Sequence, residues 1–66
     1  MSTELTVTGM SCSNCEESVV EALEGVAGVD SATADHESDT ATVSGDVDTL
    51  DLIVAVEDAG YDADSA

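Results

Sequence analysis

Gly9-Met10-Ser11-Cys12-Ser13-Asn14-Cys15 marks the point where the chain changes its hydrophobic period, and the fold is read outward from it. Before it, Leu5 and Val7 alternate with Glu4, Thr6 and Thr8, the two-residue period of a half-buried strand that Gly9 ends. After it, Cys15, Val19, Ala22, Leu23 and Val26 recur on one helical face, while Glu16, Glu17, Glu21 and Glu24 lie mostly on the other. Ser13 or Asn14 is the expected cap of this helix and Gly25 its stop.

The remaining segments follow the same logic. Gly28-Val29 opens a second strand with Val29, Ala32 and Ala34 as its apolar positions. Asp35-His36-Glu37-Ser38-Asp39 turns it back into a third strand, Thr40 to Ser44. Gly45-Asp46 breaks that strand, and Asp48 or Thr49 is placed to cap a second helix in which Leu52, Ile53, Val56 and Ala59 recur at helical spacing. Gly60 ends the helix, and Tyr61 to Asp64 reads as a short last strand.

The order βαββαβ predicts an α+β, ferredoxin-like sandwich: a four-stranded antiparallel sheet with two helices on one face, formed as one domain over residues 1–66. Chain direction then puts the cysteine loop, the hairpin around His36 and the Gly60-Tyr61 turn at one end. The loops Gly25 to Gly28 and Gly45 to Asp48 fall at the other.

A chain of 66 residues is about half the usual domain size, so a thin core and no large enclosed substrate pocket are expected. Sixteen Asp and Glu face no Lys or Arg, and no intramolecular salt bridge to a basic side chain is expected. Repulsion among so many carboxylates opposes compaction, yet Ala, Val, Leu and Ile recur with periods that disordered acidic chains lack. Molar salt resolves the conflict by shrinking the Debye length to about 3 Å, which predicts a salt-accumulating halophile as the source. With no basic group to neutralise phosphate, nucleic acid and anionic membrane surfaces are excluded as partners. No apolar run approaches the roughly 20 residues of a membrane span, and no signal segment precedes the first strand. A cytoplasmic protein without membrane insertion is expected, in which two close cysteines bind metal or do redox work.

The thiolate is the metal-binding form of cysteine, and a helix N-terminus favours it. Cys15 is expected in the first helical turn, with Cys12 more exposed in the loop before it as the landing point for an arriving ion. Glu16 and Glu17 are expected to push both thiol pKa values up at low salt. Two thiolates suit a soft ion content with low coordination, and Cu(I) is the best candidate. A structural Zn site needs about four ligands, and here Glu16 is the nearest third one.

At these residues the chain resembles the heavy-metal-associated domain family. The resemblance rests on Gly9 to Cys15, on Gly28-Val29, and on Ala55-Val56-Glu57-Asp58-Ala59-Gly60-Tyr61, and so spans nearly the whole chain. It implies Cu(I) held by Cys12 and Cys15 in near-linear geometry and passed by ligand exchange to a similar domain, such as that of a copper-transporting P-type ATPase. Members tuned for Zn or Cd often carry Asp before the first cysteine, whereas Ser11 stands there in this chain and favours Cu(I). Tyr61 matches the aromatic that prokaryotic members place near the metal, and the basic docking residues of other members are missing.

Other readings stand beside these. Met10 is either a third sulfur ligand or, as in the resembled family, a core plug anchoring the loop; Ser11 and Ser13 surround the ligands without binding metal, and Tyr61 either does the same or is simply the one aromatic filling a small core. His36 reads as a solvated hairpin residue out of reach of Cys12, because its strand lies two places from the first. A thioredoxin-like redox pair is another reading of Cys-x-x-Cys; resemblance to that family would imply a longer chain and a cis-proline facing the cysteines, and this chain has no proline. The expected function is therefore a non-enzymatic, free-standing Cu(I) metallochaperone. The alternatives are a Zn, Cd or Hg carrier, a regulatory domain of a transporter, and a thiol-disulfide enzyme. A monomer is expected, with a metal-bridged homodimer as an option since two copies offer four sulfurs.

Overall fold

The computed structural model describes residues 2–65 and contains the six elements in the predicted order. These are β1 (Ser2–Thr8), α1 (Ser13–Glu24), β2 (Val29–Asp35), β3 (Thr40–Gly45), α2 (Thr49–Asp58) and β4 (Asp62–Ser65). The strands form one antiparallel sheet in the order β2-β3-β1-β4, with both helices packed on one face, which is the ferredoxin-like arrangement. Register aligns the inward residues: Leu5 faces Ala41 across β1 and β3, and Val7 faces Ala63 across β1 and β4.

The core is aliphatic. Leu5, Val7, Val19, Leu23, Val43, Leu52 and Val56 are fully enclosed, joined by Met10, Ala32, Ala41 and Ala63. Each enclosed Leu or Val contributes about 1.5–3 kcal/mol through water removal. Ala59, expected on the inner face of α2, is instead its exposed C-cap, with its N–H turned back to Ala55 and Val56 carbonyls. The inward spacing of Val29 and Ala32, three apart where a strand needs two, is reconciled by a register shift between Val29 and Ser31. β4 starts at Asp62 rather than Tyr61 because the Tyr61 N–H is taken by the Val56 carbonyl, 3.2 Å away, at the end of α2.

Neither side chain expected to cap α1 does so. The N-cap is Cys12, whose extended backbone (φ −163°, ψ 176°) offers its carbonyl to the N–H groups of Cys15 and Glu16 at 3.0 and 3.2 Å. The helix start is thereby tied to the tip of the cysteine loop. At α2 the N-cap is Asp48, again through its carbonyl, which accepts from Leu52 N–H.

The end of the sheet away from the cysteines is closed by two glycines. At Gly45 (φ +136°) an added Cβ would overlap the Gly28 carbonyl oxygen and stand 2.9 Å from Asp30 N. At Gly28 (φ +98°) it would stand 2.6 Å from the Asp46 carbonyl oxygen. Only glycine permits both the positive φ and the approach, which the Asp46 N–H seals with a hydrogen bond to Gly28 O. No helix among the described residues is long and apolar enough to cross a membrane.

Candidate metal centre

Three segments meet at the other end. Gly9 turns the chain out of β1 at φ +97°, so that Met10 drops back into the core and is 7% exposed, while Ser11, Cys12, Ser13 and Asn14 stand in solvent. Cys15, in the first turn of α1, is half-buried against the core cluster. The Tyr61 ring packs beside Gly9, its Cδ1 3.6 Å from where a Gly9 Cβ would be. The hairpin between β2 and β3 is drawn to the same end, where the Asp39 carbonyl accepts the Val7 N–H at 2.8 Å.

The two sulfurs lie 3.9 Å apart and both cysteines are free. Two metal–sulfur bonds of about 2.3 Å span at most about 4.6 Å, so an ion enters between these sulfurs with a sub-ångström adjustment. The Cys15 thiol is lowered from its ordinary 9.0 to about 6. The Ser11 backbone N–H contributes most, followed by the Tyr61 hydroxyl and the Ser11 hydroxyl, whose Oγ is 3.7 Å from Sγ; burial opposes them, and Cys12 adds a small part. This corrects, for Cys15, the expectation that adjacent acids would raise it: donors in contact with sulfur outweigh the neighbouring carboxylates, of which Glu16 is turned to His36. In turn, interaction with Cys15 raises the Tyr61 phenol above its usual range. Replacing Tyr61 by Phe should therefore move the Cys15 titration upward, read as a later rise of thiolate absorbance with pH and slower alkylation at neutral pH.

Glu16 is not available as a third ligand beside the sulfurs. One of its carboxylate oxygens, Oε2, accepts both the His36 backbone N–H and an imidazole Nδ1 contact, each at 2.6 Å. Among the described residues, the one group of three such side chains close enough to share an ion is Glu16, Asp35 and His36, which includes neither cysteine. Met10 is enclosed in the core, and Ser13 makes no side-chain contact with either sulfur among the hydrogen bonds of the described residues.

The Glu16–His36 pair corrects two expectations, that His36 is simply solvated and that the chain holds no ion pair. Their side chains are 24% and 31% exposed. Two hydrogen bonds from His36, backbone first, lower the Glu16 carboxyl below its usual 4.5, and the bond to Glu16 raises His36 above 6.5. The Glu16 contribution is present above about pH 4.5 and lost as pH falls through the depressed value. The His36 contribution is complete below about pH 6.5 and lost as pH rises through the elevated value. Thermal melts of the native chain against His36→Gln should thus show an advantage for the native chain that is greatest between about pH 4.5 and 6.5 and shrinks on either side.

The profile of the heavy-metal-associated domain matches residues 4–62. The chain belongs to the heavy-metal-associated domain family. Over 61 residues this domain is 46% identical to mercuric reductase of Acidithiobacillus ferrooxidans, covering 89% of the chain and 11% of that enzyme. It superposes on a copper binding domain from HMA7, a P-type ATPase, with a TM-score of 0.94 and 35% identity, covering 98% of this chain and 92% of that one. On the CopZ metallochaperone the TM-score is 0.91 at 36% identity, with 96% and 98% covered. The domain spans about a tenth or less of the length of curated relatives such as this enzyme and copper-transporting ATPase 2 of Rhizobium meliloti. A heavy-metal-associated domain that carries a Cys-x-x-Cys pair is what this membership and these likenesses show.

Proposed function

We propose that the domain binds Cu(I) between Cys12 and Cys15 and passes it by ligand exchange to a copper-transporting P-type ATPase or a similar acceptor, acting as a cytoplasmic carrier and not as an enzyme. The observation that carries this reading is the pair of sulfurs 3.9 Å apart, one on the exposed loop and one half-buried in the first turn of α1, with no third His, Cys, Asp or Glu ligand grouped with them among the described residues. Two soft thiolates with open flanks suit Cu(I) and leave room for an incoming thiolate of an acceptor. Cys15, already ionised in good part at neutral pH, serves as the anchor, and exposed Cys12 is the sulfur that lets go first. Ser11 and Tyr61 act by keeping Cys15 a thiolate, and Met10 acts by fixing the loop to the core.

Anaerobic titration of Cu(I) into the reduced domain against a competing chelator, with Zn(II) in parallel, tests the reading. One tight equivalent of Cu(I) and weak Zn(II) binding at the sulfurs are expected; the reverse order would sink it. Hg(II) is the second reading, supported by the 46% identity to mercuric reductase, since two thiolates serve that ion equally well. Transfer tells them apart: Cu(I) should move to the metal-binding domain of a copper ATPase within a mixed-thiolate intermediate. The carboxylate excess also supports a high-salt cytoplasm such as a halophile's, a matter on which the relatives are silent.

A further inference from the structure

We propose that Glu16, Asp35 and His36 form a second, separate cation site that takes a divalent transition-metal ion of borderline hardness, Zn(II) being the representative case. One imidazole nitrogen and two carboxylate oxygens lie within 4.8 Å of one another. Tetrahedral ligands about 2.1 Å from an ion are about 3.4 Å apart, so side-chain rotation alone closes the set around one. The donors differ in kind from the two sulfurs. Nitrogen and oxygen select Zn(II) or its neighbours over Cu(I), so the domain would sort ions of two classes onto two sites at one end.

The site is built from three places that the fold locks together. Glu16 comes from the first turn of α1, Asp35 from the last residue of β2, and His36 from the hairpin that follows. Asp35 is steadied by the Glu37 N–H on its Oδ1 at 2.9 Å, and Glu16 by the His36 N–H and the Nδ1 contact on Oε2; an ion entering here takes the place of that Nδ1 contact, with Glu16 Oε1 without a hydrogen bond among the described residues. Beside the cluster runs an open groove of about 500 Å³ lined by Glu16, Thr33, Ala34, Asp35, Thr40 and Thr42, through which an ion reaches the cluster from solvent. In most proteins a Lys or Arg would neutralise paired carboxylates. This chain has neither, so an external cation has no competitor among its side chains beyond His36 itself.

The test uses Zn(II) with a Cys12→Ser, Cys15→Ser chain, so that its outcome does not depend on the copper reading. In molar KCl, which suppresses diffuse binding to the other carboxylates, one equivalent should bind and shift the ring resonances of His36, the single histidine. Loss of an outer partner in a metal site already costs about 10–100-fold in affinity, so His36→Gln and Asp35→Asn should each weaken binding by at least about tenfold. Glu57→Gln, an exposed carboxylate on α2, should leave it unchanged. Zn(II) binding without movement of the His36 signals, or equal effects of His36→Gln and Glu57→Gln, would overturn the site. The ring signals in the His36-containing chain decide the matter even where a variant folds poorly.

Discussion

A Cys12→Ser, Cys15→Ser domain is expected to keep its fold and to lose Cu(I) affinity by well over about a hundredfold, more than loss of an outer-shell partner costs in any metal site. The fold should survive because Cys12 is exposed and Cys15 only half-buried, so neither substitution empties the enclosed aliphatic core. The site should not survive, because a serine hydroxyl is a hard donor that stays protonated at neutral pH. Between the single variants, Cys15→Ser should cost more below neutral pH, since it removes the thiol lowered to about 6. Chelator competition followed from acid to neutral pH measures this, with circular dichroism verifying the fold. Unchanged affinity in the double variant would end the copper reading.

The second large effect is expected from salt. With a radius of gyration of 10.0 Å, the domain holds its sixteen carboxylates on the order of 15 Å apart. At 0.01 M ionic strength, where the Debye length is about 30 Å, these spacings are barely screened, and the excess repulsion of the folded over the unfolded chain is on the order of 10 kcal/mol. A domain of this size has roughly 3–10 kcal/mol of stability to set against it. In molar KCl the Debye length is about 3 Å and the repulsion vanishes. Circular dichroism should therefore show a folded domain in molar KCl that is largely unfolded in dilute buffer. A spectrum indifferent to salt would refute both the electrostatic argument and the expectation of a high-salt origin.

The element order was legible because glycines and period changes coincide: Gly9, Gly25, Gly45 and Gly60 each stand where an apolar period stops. What was not legible depended on backbone groups or on residues brought together from afar. Residue type at Ser13 and Asn14 suggested side-chain caps, whereas the Cys12 carbonyl does the work, and a carbonyl leaves no mark on composition. The lowered Cys15 pKa comes first from a main-chain N–H, invisible in the same way. The Glu16–His36 pair joins residues 20 positions apart, set by how the β2–β3 hairpin folds back on α1. Two facts pointed toward it: the hairpin was expected at the cysteine end, and one imidazole among sixteen carboxylates is bound to find one.

That Cys12 supplies both a sulfur and the carbonyl that closes the first turn of α1 joins two events that most binding loops keep apart. The residue cannot be drawn toward another molecule without pulling on the Cys15 and Glu16 amides, each bond worth about 1 kcal/mol. Unloading is thus geared to unwinding: the helix end works as a latch that rewinds when the sulfur returns. The exchange rates of those two amides with deuterium become a clock for how often the latch opens.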